Sequence, residues 1–338
     1  MKNLFYIHKL LKPEFLVRFG YIIILVVLVF GALTLIQPIL AEKENATGDI
    51  SSDPIPVYPV KLPAALDFAG EKVPLQNFDI KESLDREMIV NVYYQSQTLL
   101  SIKRANRYFP VIEPILKANG IPDDFKYLAV IESALTHPTS PAGAKGIWQF
   151  IEGTAKEYKL EVNKEVDERY NVERSTRAAC DFLKESYEIY HNWTLAAASF
   201  NIGRKRLSQE LDRQKVNSYY DLTLNEETGR YLFRVLSIKS IMQNPTQYGY
   251  HISKDDLYPS VSFTEVIVDT PVTHFADFAR KFSINYKVLK LFNPWLRENY
   301  LSNKEKKSYI ILIPKDCRRE YNYYIDNISA PADSSSNE

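Results

Sequence analysis

Cysteine is scarce in this chain: Cys180 and Cys317 are the only two among 338 residues. A disulfide framework is therefore excluded as the basis of the fold. Cys180 sits in the helix-like stretch Ala178-Ala179-Cys180-Asp181-Phe182 and Cys317 lies far along the chain, so a buried free thiol is expected rather than a bridge. Histidine is sparse as well, and the five His show no Cys/His ligand spacing, which leaves no metal site to propose. No glycine-rich phosphate cradle and no Ser-His-Asp arrangement stands out, so no cofactor is expected. Net charge is also absent: 42 Lys and Arg balance 42 Asp and Glu, which argues against a nucleic-acid partner. What is present is a 45% hydrophobic composition suited to packed cores, in a chain longer than one typical domain. The 23 Tyr and 17 Phe suit stacking on flat ligands, although most such residues in any protein are core or partly buried surface.

Residues 19–38 hold the one long apolar run, with Phe19 to Ile36 forming 18 uncharged residues. At about 1.5 Å per residue that length crosses a hydrocarbon core. Lys2, Lys9, Lys12 and Arg18 precede it against the single acid Glu14, so residues 1–18 are expected to stay cytoplasmic and everything after the run to be exported. A cleavable signal ending near Ala41 is the competing account; the long apolar run and long basic segment favour an uncleaved anchor. Residues 39–80 carry Pro54, Pro56, Pro59, Pro63 and Pro74 among Ser, Asp and Lys, the composition of a semi-extended linker. The alternative is that part of it wraps the following domain.

The most informative residue is Glu132, at the end of the apolar run Tyr127-Leu128-Ala129-Val130-Ile131. Pro122-Asp123-Asp124 opens a helix, which puts Glu132 on the face of Phe125, Leu128 and Ala129, 7, 4 and 3 positions earlier. Held against apolar side chains, a carboxyl group stays protonated nearer neutrality and can act as a general acid. A frayed helix end facing water is the other possibility. Downstream, Ser140 to Phe150 is turn-rich, with Gly143 and Gly146 ahead of Trp148 and Gln149. Leu195 to Ile202 is a small-residue helix with Gly203 at its C-terminal cap, and Arg174 to Tyr190 is an amphipathic helix with no catalytic role assigned. Leu84, Met88, Val92, Leu99 and Ile102 suggest one further helix between Ser83 and Asn106, and helical patterns continue to about Gln243.

Four blocks in this order, Glu132-Ser133-Ala134, Ser140 to Phe150, Ser199 to Gly203 and Glu227-Thr228-Gly229-Arg230-Tyr231, resemble the catalytic domain of lytic murein transglycosylases. The resemblance spans roughly Phe109 to Ile241 and is strongest to the membrane-bound lytic murein transglycosylase D group. It implies a goose-lysozyme-like helical fold, Glu132 as the single acid and base, and Ser140, Gln149, Asn201 and Tyr231 as residues that bind the sugar or orient the acid. Phe200 stands where the family usually has Tyr, and Arg204-Lys205 replaces a common Gly or Pro. A lipid anchor on Cys, as some relatives have, is excluded because the first Cys is Cys180.

After Pro245 the pattern changes. Val261, Phe263, Glu265 and Ile267 alternate against Thr264, Val266 and Val268 as in a strand. Thr273 can cap a helix bearing Phe275, Phe278, Ala279 and Phe282, a second helix ends at Asn293-Pro294, and Tyr309 to Ile313 reads as a closing strand. This β-α-α-β order resembles a LysM module, a fold that binds N-acetylglucosamine polymers. Val272-Thr273-His274 stands where Gly-Asp-Thr is usual, so glycan binding and a purely structural role are both open for it.

The fold class expected is thus mainly α: residues 81–245 as a goose-lysozyme-like helical catalytic domain and 260–315 as a small LysM-like module, preceded by one transmembrane helix and followed by a tail, 316–338. The function the resemblance implies is cleavage of the β-1,4 bond between N-acetylmuramic acid and N-acetylglucosamine with formation of a 1,6-anhydro sugar. Peptidoglycan glycan strands would be the partner, and the inner membrane, with the catalytic part in the periplasm, the location. A lysozyme-like hydrolase and a non-catalytic wall-binding scaffold are the alternatives. Because the only long apolar run precedes residue 41, a chain starting near Ser51 is expected to remain soluble without detergent; sedimentation of that shortened chain with vesicles would overturn the anchor assignment.

Overall fold

A computed structural model describes residues 57–315. The chain divides at Tyr58, and the elements below belong to the unit that begins at Pro59. No helix among the described residues is long and apolar enough to cross a membrane. The expected anchor at 19–38 and the tail at 316–338, with Cys317, lie outside those residues.

The architecture is mainly helical. Helices α1 (Phe78–Tyr93) and α2 (Gln95–Ala118) replace the single helix expected between Ser83 and Asn106. Tyr94 breaks the run with φ −82° and ψ 56°, and the Thr98 hydroxyl fastens the corner by donating to the Asn91 carbonyl at 2.6 Å. Turning there lets Ile80, Leu84 and Met88 of α1 point inward, whereas Leu99 ends up 38% exposed. The core helix is α8 (Glu226–Gln243), in which Tyr231, Leu232, Val235, Leu236, Ile238 and Ile241 are buried. From Tyr231 to Ile241 burial runs nearly all round the helix, as at the centre of a bundle. Accordingly α8 packs against α1, α3 (Lys126–Ser133) and α6 (Trp193–Ile202). The triplet Ala196-Ala197-Ala198 on α6 is fully buried, its small side chains allowing close approach to α8 and to α5 (Val172–Tyr190). Between α3 and α5 lies the short α4 (Glu152–Glu157), and α7 (Arg204–Gln214) follows α6.

The proline-rich stretch departs from the linker expectation at its C-terminal end. Strands β1 (Asp67–Phe68) and β2 (Glu71–Lys72) form a small antiparallel hairpin, and Phe68 is buried with its ring 5.1 Å from that of Phe125. Glu71 caps the N-terminus of α6 from 122 residues away, accepting from the Trp193 amide (2.6 Å), the Thr194 amide (2.9 Å) and the Thr194 hydroxyl (2.6 Å). The buried Lys239 ammonium on α8 reaches the Asp67 carbonyl (2.8 Å) and Asp124 (2.7 Å), whose carboxylate also accepts from the Ala69 amide. Proline content signals extended chain, but Leu66, Phe68, Val73 and Leu75 interleave it and supply enough apolar surface to dock it on the core.

Residues 263–314 build the order β3 (Phe263–Val268), α9 (Phe275–Lys281), α10 (Tyr286–Phe292), β4 (Tyr309–Pro314). The two strands pair antiparallel from Phe263 opposite Pro314 to Val268 opposite Tyr309. Of the two strand faces, the one bearing Val266 and Val268 turns to the module's core, and Ile267 is left 70% exposed. Thr273 does not cap α9; His274 occupies that position without a side-chain cap bond, and Asn285 caps α10 by accepting from the Val288 amide. Asn293 explains its place before Pro294, since its buried side chain donates to the Leu312 carbonyl at 2.7 Å and accepts from the Leu312 amide at 2.8 Å, stitching the end of α10 to β4. Glu71→Ala should strip three hydrogen bonds from the first turn of α6, leaving it only the Asn192 cap on the Leu195 amide, and lower stability by about 1 to 3 kcal/mol, read as a fall in midpoint on thermal denaturation; an unchanged midpoint would show that the Glu71 contacts contribute nothing to the helical domain.

Candidate active site

A 3-10 turn at Asp123–Phe125 leads into α3, and Phe125, Leu128 and Ala129 are fully buried beneath Glu132. The helix stops abruptly after Ser133, because Ala134 (φ 51°) and Leu135 (φ 55°) both adopt the left-handed conformation that costs a residue with a Cβ about 1 kcal/mol or more. Three hydrogen bonds hold this corner: Arg104 donates to the Ala134 carbonyl, and the Ser133 hydroxyl donates to the carbonyls of Ala129 and Ile147. The chain thus swings away at the point where Glu132 reaches a groove of about 850 Å³, shared with Glu87, Asn91, Gln97, Glu227 and Arg230.

Glu132 is half-buried as a residue, and its Oε1 accepts from the Tyr231 hydroxyl at 2.7 Å. Burial raises the Glu132 pKa to about 7; the Tyr231 hydrogen bond and the Arg234 charge pull it back, and the Glu227 charge pushes it further up. Burial likewise holds the Tyr231 hydroxyl well above the usual phenol value, so it remains a donor at any physiological pH. Near neutrality the carboxyl group therefore exists in both protonation states, which suits a group that gives a proton and takes one back.

Of the residues expected around the acid, Tyr231 alone is hydrogen-bonded to it. The Ser140 hydroxyl accepts from the Ala144 amide at 3.0 Å and closes its own turn. Gln149, held at φ 50°, donates to the carbonyls of Gly146 (2.7 Å) and Pro138 (3.2 Å). Asn201 stands one step back, accepting from the Thr228 hydroxyl at 2.9 Å and donating to Glu227 at 3.3 Å. Phe200 packs its ring against Trp148, Phe150 and Phe182. Four groove or near-groove charges were not singled out from sequence. Glu227 and Arg234 flank Tyr231 at helical spacing, four before and three after, a signal present in the sequence. Glu87 and Arg230 form a two-point ion pair at 2.7 and 3.3 Å with Glu87 buried, and their separation of 143 residues hides that pairing from any local pattern. No cluster of three potential metal ligands occurs among the described residues.

Residues 110–222 match the family model described as the transglycosylase SLT domain, and residues 264–317 match the soluble lytic transglycosylase C-terminal LysM-like domain. The chain carries an SLT transglycosylase domain and a LysM-like domain. It is 28% identical over 257 residues to the membrane-bound lytic murein transglycosylase D of Escherichia coli strain K12, an alignment covering 73% of this chain and 55% of that protein. The protein of the same name from Escherichia coli O6:H1 matches to the same extent. A protein of Alteromonas sp. strain M-1 named for tributyltin chloride resistance is 25% identical over 184 residues, covering 54% of this chain and 86% of the relative. The chain spans about half the length of the curated transglycosylases it matches. The SLT match ends at residue 222, before α8, so the Tyr231 hydroxyl reaches Glu132 from outside the matched segment.

The raised Glu132 pKa in this SLT domain has a measurable cost. Because the folded value of about 7 lies above the ordinary 4.5, the protonated form favours the fold; that stabilisation is complete below the unfolded value and is lost as pH rises through about 7. Glu132→Gln, which mimics the neutral acid, should match wild type in stability at pH 4 and exceed it at pH 9 by on the order of 2 to 3 kcal/mol. Denaturant midpoints across that range check it, and a difference independent of pH would mean that Glu132 is not held neutral by its surroundings.

Proposed function

We propose that this chain is a peptidoglycan lytic transglycosylase that cleaves the β-1,4 bond between N-acetylmuramic acid and N-acetylglucosamine with formation of 1,6-anhydro-N-acetylmuramic acid. The observation that carries this is the Glu132 carboxyl group, hydrogen-bonded to the protonated Tyr231 hydroxyl on an open groove, with its pKa raised to about 7. The SLT match and the relatives named as lytic murein transglycosylases support the substrate class. In this mechanism protonated Glu132 donates to the leaving glycosidic oxygen as positive charge develops at the anomeric carbon, assisted by the 2-acetamido group. The resulting carboxylate then removes the proton of the muramic 6-hydroxyl, whose oxygen attacks the anomeric carbon. Tyr231 orients the acid; Asn201 acts behind Glu227, and Ser140 and Gln149 shape the loop that backs the groove.

One observation favours the hydrolytic alternative. No second acid beside Glu132 was expected to serve the reaction, yet Glu227 lines the same groove, is exposed, and acts on the Glu132 pKa through its charge. Inverting and retaining glycosidases both require such a second carboxylate. We propose further that the protein is held at the membrane through residues 19–38 with its enzyme portion in the periplasm, a location in keeping with the membrane-bound relatives. Peptidoglycan strands are then the partner of the helical domain.

Mass spectrometry of fragments released from purified peptidoglycan separates the two chemistries: anhydro ends support the intramolecular route, and reducing ends one water heavier overturn it. Glu132→Gln should lower cleavage by roughly three orders of magnitude or more, and Tyr231→Phe by about tenfold. Since the lost hydrogen bond is one that lowers the pKa of Glu132, Tyr231→Phe should also move the alkaline limb of the rate profile to higher pH. Cleavage by Glu132→Gln at the wild-type rate would remove Glu132 from the mechanism.

A further inference from the structure

We infer that the LysM-like module acts as a buttress for the wall of the substrate groove, with Arg169 as the positioning residue that carries its support to the loop behind Glu132. The module is not an appendage on a string. Its apolar core incorporates Val166 and Tyr170 of the helical domain, packed with Trp295, Leu296 and Ile311. Backbone hydrogen bonds cross the junction from the Asp167 amide to the Trp295 carbonyl (2.9 Å) and from the Arg297 amide to the Glu165 carbonyl (2.7 Å). The Glu165 carboxylate accepts from both the amide and the hydroxyl of Ser302, at 2.6 and 2.8 Å, and the Arg297 guanidinium lies 4.2 Å from the centre of the Tyr170 ring.

The same segment grips the groove wall from its other side. Asp167 and Arg169, each 3% exposed, form a two-point ion pair at 2.8 and 2.7 Å. The fixed guanidinium then donates through Nη1 to the carbonyls of Gly143 (3.2 Å) and Phe150 (3.4 Å), at the two ends of the loop. Between them Gly146, at φ 79°, lies so close to the Arg169 backbone that a Cβ would sit 1.8 Å from its carbonyl oxygen. That loop in turn accepts the Ser133 hydroxyl at the Ile147 carbonyl and holds the Pro138 carbonyl through Gln149. Ser133, Thr136 and Pro138 line the groove beside Glu132. An unbroken series of buried contacts therefore runs from Trp295 to the residue after the acid, and a planar guanidinium can hold Asp167 at two points and two carbonyls at once, one bond more than a Lys ammonium has hydrogens to give.

The effect on turnover rests on the transglycosylase reading; the mechanical coupling does not. In the full-length chain, Glu165→Ala removes both side-chain bonds to Ser302, and Arg169→Lys removes the fork while keeping the charge. Amide hydrogen exchange at Asp167, which donates to the Trp295 carbonyl across the junction, reports loosening there, and exchange at Lys145, whose amide donates to the Phe150 carbonyl, reports the loop. Both variants should raise Lys145 exchange about tenfold or more and leave α8 amides unchanged. On peptidoglycan both should lower kcat several-fold with KM and retention on insoluble wall material little changed. If Arg169→Lys fails to fold, Glu165→Ala decides. Faster exchange at Asp167 without a rise at Lys145 overturns the coupling, and coupled exchange with unchanged kcat overturns the role in turnover. Loss of wall retention with wild-type kcat overturns the buttress in favour of an independent wall-binding module. A wild-type protein that releases no fragments would fail the transglycosylase reading, with the exchange experiment still deciding the coupling.

Discussion

Tyr231 and Glu132 meet across two core helices, and their 2.7 Å hydrogen bond ties the chemistry of the groove to the packing of the whole helical domain. Two opposed forces set the behaviour of the acid. Burial in an apolar surround disfavours the carboxylate, and the protonated Tyr231 hydroxyl favours it. Burial is the larger of the two, so the group ends above the ordinary carboxylate range with the hydrogen bond drawing it back. The balance depends on α8 staying at the centre, because that helix supplies Tyr231, the opposing charges of Glu227 and Arg234, and the apolar wall behind them.

Local signals were legible in the sequence, and long-range ones were not. The apolar face beneath Glu132 is a matter of spacing within one helix, so Phe125, Leu128 and Ala129 announce it directly. The strand-helix-helix-strand order after residue 260 is equally local and matches the structure element by element. The Glu87–Arg230 pair, the Glu71 cap on α6 and the Asp124–Lys239 contact each join residues more than a hundred positions apart, and no periodicity marks them. For the same reason proline content left residues 39–80 open between a linker and a segment wrapping the domain, since composition cannot reveal that Phe68 finds a pocket against Phe125.

Family pattern added what spacing could not. The block around Tyr231 pointed to the acid's partner, but it also named Ser140, Gln149 and Asn201, whose hydrogen bonds run to their own loop or to Thr228 and Glu227. The junction at Val166 and Tyr170 was equally hidden, because both read as ordinary residues of a turn until the module's core closes over them.

The direction of the Tyr231 hydrogen bond has its own chemical outcome. The Tyr231 phenol stays protonated and donates to Oε1. A neutral carboxyl group accepts best at its carbonyl oxygen, so this bond favours Oε2 as the place of the acid proton. On the proposed mechanism Oε2 is then the oxygen that gives the proton and takes it back, and the two carboxyl oxygens, equivalent in free solution, become distinct: one is an anchor and the other a docking point for a hydron.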